Sequence, residues 1–307
     1  MHASFFSFER RFTFVLLAAG LSMSLAMASE NGASVYPAGV ETAFPGVMPG
    51  PGASLFAEFN NFYQANSLVN SKGQSEIPGF HLGVSALAVA FEHNWGMHLL
   101  GGTLVSSAAQ PYLYETVNLS FGQSSKAGFS NAILEPAALA YDRGVWHWYY
   151  GMVVFAPAFG YNKNDLVNIG QHNFAYAPTG AITYLPGHNT EISSRMQYII
   201  NRKDTATGYR SGHEFVADYD VMRNVAKKVA IGVNGFFYKQ TTNDLQDGIS
   251  IPGGNRGRDL AIGPQIRFHF GKVPLIAKYT RDTLAQNRAV GNSFWVQFGV
   301  PVGHPHE

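Results

Sequence analysis

The 307-residue sequence contains no cysteine. That excludes disulfide staples, thiolate nucleophiles and cysteine-bound metals. Charge is also scarce, at 13% of residues, where about a quarter is usual for a soluble domain. Beyond residue 28 no run is convincing as a membrane helix. The best candidate, "GVWHWYYGMVVFAPAFGY" at 144–161, has no formal charge but is broken by Gly151 and Pro157. Its aromatic and β-branched content favours strands. Clear helical periodicity is missing throughout.

The first 28 residues read as a signal peptide. Arg10 and Arg11 precede the apolar "FTFVLLAAGLSMSL", and Ala26 and Ala28 form a small-x-small cleavage pattern. A permanent N-terminal anchor is the weaker reading, because the run is short for a span and ends in that pattern. Removing this leader takes away Glu9, Arg10 and Arg11 and leaves acidic and basic side chains in equal number. A chain without basic excess is not expected to bind nucleic acid.

What the sequence has is alternation. In "SGHEFVADYDV", Glu214, Val216, Asp218 and Asp220 share one side of a strand, and Phe215, Ala217, Tyr219 and Val221 the other. "EISSRMQYIIN" sets Ile192, Met196 and Ile200 outward against Arg195, Gln197 and Asn201. "DLAIGPQIRFHF" and "KVPLIAKYT" set Leu260, Ile262, Ile266 and Leu275 against Gln265, Arg267 and Lys278. About twelve strands follow, near 53–64, 79–92, 98–118, 131–141, 145–160, 174–185, 190–201, 213–224, 227–239, 259–270, 273–281 and 293–300. Their links alternate in length. "QANSLVNSKGQSEIP", "SFGQSSKAG", "NKNDLVNIGQHN", "RKDTATGYRSG", "QTTNDLQDGISIPGGNRG" and "DTLAQNRAVGN" are long, while "HNWGM", "DRG", "PGHN", "NVAK" and "GK" are short.

Long loops at one end and tight turns at the other, with an even strand count, describe an all-β fold: a transmembrane antiparallel up-and-down β-barrel. Closure satisfies every strand edge, as lipid requires. Trp95, Trp146, Tyr161, Tyr184, Tyr238 and Tyr279 stand near expected strand ends and suit interfacial girdles. The expected division is a leader at 1–28, a Gly/Pro-rich segment at 29–52, a barrel at 53–300 and a tail at 301–307. The 29–52 segment is either a plug in the lumen or a periplasmic tether.

Several segments resemble, in order, the outer-membrane proteins grouped as the meta-pathway phenol-degradation family. They are "ENGASVYPAGVETAFPGVMPGPGASLFAEFNNFYQAN", "SNAILEPAALAYDRGVWHW", "YRSGHEFVADYDV", "VAIGVNGFFYKQTTND" and "GNRGRDLAIGPQIRFHFGKVPLIAKYTRD". The resemblance implies a barrel in the outer membrane of a Gram-negative bacterium, a role in transport of aromatic compounds, and no catalytic residue set. Such barrels often end on an aromatic residue, whereas this chain continues past Phe298 with "GVPVGHPHE".

The expected lumen-lining residues are Arg195, Glu214, Asp218, Asp220, Gln265, Arg267 and Lys278. They form either a constriction whose transverse field selects solutes or an ion-pair network packing a narrow barrel. The second is preferred, because small barrels are filled by side chains. No catalytic residue is expected: "GHNT" and "FSNA" do not supply a barrel-hydrolase nucleophile, and no GxSxG elbow is present. His304 and His306 form an isolated HxH pair, too few ligands for a metal site. No cofactor is expected.

The expected function is passive uptake of small apolar or aromatic solutes through an outer-membrane channel. The alternative is a structural or adhesive barrel with a closed lumen and partner-binding loops. The expected partners are outer-membrane lipid, the solute, and the periplasmic chaperones and barrel-assembly machinery met during biogenesis.

Overall fold

The computed structural model describes residues 33–303 except positions 121, 188 and 272. The expected leader, positions 29–32 and the His304/His306 pair lie outside the described residues. The strands are β1 (Ser54–Val69), β2 (His81–Leu99), β3 (Gly102–Leu119), β4 (Gly122–Phe129), β5 (Ile133–Arg143), β6 (Trp146–Phe155), β7 (Ala175–Tyr184) and β8 (Thr190–Asn201). There follow β9 (Tyr209–Arg210), β10 (Glu214–Ala226), β11 (Val229–Gln240), β12 (Leu245–Gln246), β13 (Ile249–Ser250), β14 (Arg258–Phe270), β15 (Val273–Gln286) and β16 (Arg288–Val302).

Thirteen of these form one antiparallel sheet that closes through the β1–β16 and β2–β3 pairings. The upper part of β3 pairs with β4 and its lower part with β5, so β4 and β5 are two pieces of one stave. The chain is therefore a closed, twelve-stave antiparallel barrel. The break between β4 and β5 lies beside Pro111 of β3, whose carbonyl accepts the Ser130 N–H.

Five hairpins turn at the short-turn end, after Leu99, Arg143, Tyr184, Ala226 and Phe270. The opposite end carries the longer connections, and there β9, β12 and β13 make a small separate sheet. Two expected long loops are absent. "SFGQSSKAG" is mostly β4, and "DTLAQNRAVGN" is the ends of β15 and β16 meeting around Asn287, which adopts a left-handed φ of 49°. Polar strand ends project beyond the apolar band, and their composition resembles a loop although their backbone stays paired.

Burial follows the expected parity. Along β10, Glu214, Val216, Asp218, Asp220 and Met222 are buried inside, while Val221 is exposed outside. Tyr238 departs from its expected girdle place. It shares the inward phase of Asn234, Phe236 and Gln240, is fully buried, and lies 3.9 Å beneath the Arg288 guanidinium. Tyr161 lies in the 156–174 connection rather than on a strand. Trp95, Trp146 and Tyr279 are exposed on the outer face.

Glycine inside a strand marks one close outer contact. Tyr219 of β10 lies across Gly235 of β11 and donates its hydroxyl to the Ala261 carbonyl of β14, at 2.9 Å. A Cβ at Gly235 would collide with that carbonyl and with the phenol. Gly235→Ala should therefore destabilise the barrel by about 1–3 kcal/mol, read as a lower unfolding midpoint of the heat-modifiable band. An unchanged midpoint would contradict this packing.

Candidate functional site

Residues 33–52 contribute no strand, yet much of this segment is buried. Its first residues lie at the longer-loop end, where the Ala33 carbonyl accepts from Gln171 and Ser34 donates to Glu214 at 2.5 Å. Farther along, Gly46 donates its N–H to Thr183, near the short-turn end of β7. The segment then reaches Gly52, whose N–H is held by the Asn94 carbonyl. It thus runs lengthwise among the inward-facing side chains.

Asp218 organises the middle of this path. It accepts from the Tyr36 hydroxyl at 2.7 Å, the Gly39 N–H at 2.7 Å and the Glu41 N–H at 3.1 Å. Three donors converge on a carboxylate with no exposed surface. Lys278 supplies the complementary charge. Its ammonium donates to the carbonyls of Gly39 and Val40, at 2.6 and 2.8 Å, and to Thr42 Oγ1 at 3.0 Å. Gln297 also donates to the Val40 carbonyl. A segment without secondary structure thus has its backbone groups satisfied by wall side chains.

The other sequence-expected residues join the same contacts. Thr42 donates to Gln265, and Gln265 donates to Asp220 at 2.9 Å. Arg195 stands opposite Asp218 in the β8–β10 register, but its ion pair is with Glu41, at 3.1 Å. Tyr149 accepts a further Arg195 hydrogen bond, and Tyr36 lies under the guanidinium. Arg267 pairs with Glu191 at 2.5 Å and covers the Phe44 ring at 3.9 Å. Glu214 stands apart, at the longer-loop end, with Ser34 and Asn201. All seven are buried.

Glu191, Thr183, Tyr149 and Gln297 belong to the same set and were missed by sequence reasoning. Strand parity marked Glu191 and Gln297, since they continue the inward phases of Arg195 and Trp295. Nothing periodic in 33–52 marked Tyr36, Glu41 or Thr42. Glu92 and Glu135 also bring buried carboxylate oxygens into the interior.

The segment has an apolar side as well. Val35, Tyr36 and Val40 pack against Val153, Phe155, Ile199, Val216, Phe236, Tyr238 and Trp295 of the inner wall. Near the short-turn end a cavity of about 420 Å³ remains, lined by Phe44, His147, Glu191, Met222, Arg267 and His269 among others. Its size falls in the range of small-molecule pockets, about 300–1,000 Å³.

Residues 65–298 match the family described as "Putative MetA-pathway of phenol degradation". Among solved structures, an outer membrane channel from Pseudomonas putida F1 is similar with a TM-score of 0.74 and 14% identity, over 86% of this chain and 100% of that one. The beta domain of the Bordetella autotransporter BrkA gives 0.48 at 11% identity, over 81% and 98%. The CymD monoaromatic hydrocarbon channel gives 0.38 at 8% identity, over 84% and 90%. Only the first of these likenesses is strong enough to bear on the fold. Among curated proteins no relative matches.

Asp218→Ala would remove the acceptor shared by Tyr36, Gly39 and Glu41. Because the chain has no cysteine, a single Ala38→Cys reporter can be read without background. Maleimide should label it at least about tenfold faster when Asp218→Ala is added, since hydrogen bonds to a charged group are worth roughly 1.5–3 kcal/mol each. Equal rates would show that Asp218 does not hold the segment.

Proposed function

We propose that this chain, which belongs to the MetA-pathway phenol-degradation family, is an outer-membrane channel for passive uptake of small apolar or aromatic compounds, plugged by its own 33–52 segment. The observation that carries the reading is the double character of the segment's seat. Charged and amide groups of the inner wall hold its backbone, while Phe155, Val216, Phe236 and Trp295 pack on Val35 and Val40. The two sets interleave, with Phe236 across from Asp218 and Trp295 across from Lys278. Displacing the segment would uncover a passage with apolar surfaces between its charges, suited to an uncharged ring. The cavity beside Phe44, Met222 and His147 would receive such a solute at the short-turn end, which this reading places in the periplasm.

In this reading the lumen charges are not a field across open water. Asp218 and Lys278 grip the plug, Arg195 pairs with its Glu41, and Arg267 pairs with Glu191 under Phe44. Ion flow through the native chain is accordingly expected to be small. The extent of this gripping also favours a second reading, a permanently closed barrel with a structural or adhesive role.

Planar-bilayer recordings separate the two readings when combined with uptake. Deleting residues 29–52 should convert rare, small current steps into frequent, larger ones. Cells making the native chain should accumulate an uncharged single-ring aromatic several-fold faster than cells lacking it. Uptake indistinguishable from the strain without the protein would discard the transport reading and leave the closed barrel.

A further inference from the structure

The outward face of β1 breaks the apolar band. Its outward residues run Phe56, Glu58, Asn60, Phe62, so a carboxylate and an amide stand between two exposed phenylalanines. Across the sheet, Glu58 lies between Val89 of β2 and Phe298 of β16, and Asn60 lies between Leu87 and Val296. Toward the short-turn rim, Trp95, Met97 and Leu99 of β2 are all exposed. The pair is therefore ringed by apolar side chains in every direction. Other outward charges, such as Arg223 and Lys239, stand near strand ends and are long enough to reach the interface. Glu58 is too short to do so.

Polar groups facing hydrocarbon are costly unless they find partners. Asn60 donates one N–H to Glu58 at 2.8 Å. Among the described residues that is the only hydrogen bond found for either side chain, which leaves the second amide N–H and the other carboxylate oxygen for something outside the barrel.

We infer that Glu58 and Asn60 form the centre of a homodimer contact in the membrane, with β1 of one barrel against β1 of a second copy. The stripe is self-complementary, as a two-fold contact requires. Strands tilted by about 40° cross when related by a two-fold axis along the membrane normal. That crossing sets the two Glu58–Asn60 pairs against each other at equal depth as one four-group cluster, in which each free amide N–H comes within reach of the other copy's carboxylate. Phe56 and Phe62 flank the crossing and exclude lipid from it. The inference rests on the barrel's standing in a membrane but not on what it transports.

The absence of native cysteine makes the test clean. Single Phe56→Cys and Phe62→Cys variants in isolated outer membranes, treated with a short bis-maleimide, should give a covalent dimer. Met196→Cys, on exposed β8 across the barrel, should stay monomeric. Adding Glu58→Leu and Asn60→Leu to Phe56→Cys should lower dimer yield by roughly tenfold, with the barrel still heat-modifiable. No dimer at either phenylalanine position, equal yield at Met196→Cys, cross-linking to a different protein, or yield unchanged by the double substitution would each overturn the proposal. If the leucine variant fails to assemble, the three single-cysteine variants still decide. Recovery of the chain in the soluble fraction would instead refute the membrane reading itself, a result visible before any cross-linking.

Discussion

A buried carboxylate that accepts three hydrogen bonds from a strandless segment is the constraint on which the interior depends. Asp218 has no exposed surface, and its donors all come from Tyr36, Gly39 and Glu41. Removing an ion from water costs several kcal/mol unless its lone pairs are satisfied. Without the segment, Asp218 would need water, and the lumen would need to be wet. With it, the charge is met within the protein, and Lys278 meets the carbonyls on the same turn of chain.

The barrel wall makes that arrangement possible through parity. Antiparallel pairing fixes which residues point inward, and a slip of one residue would turn Asp218, Lys278 and Gln265 toward lipid. Register therefore carries information that no single side chain has. It places Asp218 beside Arg195 on β8 and Gln265 opposite Lys278 on β15. Because Arg195 takes Glu41 rather than its cross-strand neighbour, Asp218 is left for backbone N–H groups. Closure supplies rigidity of the kind a disulfide gives elsewhere, since each stave is hydrogen-bonded on both sides.

Much of this was legible in the sequence, because alternation with period two survives wherever one face meets lipid. The seven expected lumen residues are inward and buried, and twelve staves follow from twelve alternating runs. Reading failed where polarity and backbone geometry part company. The ends of β15 and β16 look like a loop because they are rich in polar residues, yet they stay paired with their outer neighbours, β15 with β14 as far as Gln286 and β16 with β1 from Arg288. Tyr238 looked like a girdle residue because it is an aromatic near a strand end, but its even phase with Phe236 turns it inward. The 33–52 segment was the least legible. Its contacts depend on residues roughly 45 to 260 positions away, and its composition fits a tether as well as a plug.

The central claim is that the segment is seated in the folded barrel and is not a loose strand of chain near its mouth. Amide hydrogen exchange followed by mass spectrometry, on the protein in detergent or native membranes, addresses this directly. The N–H groups of Gly39 and Glu41 are held by Asp218, and that of Phe44 by Glu191. Peptides covering 36–46 should exchange as slowly as those of β10. Exchange as fast as that of the 156–174 connection would contradict the account.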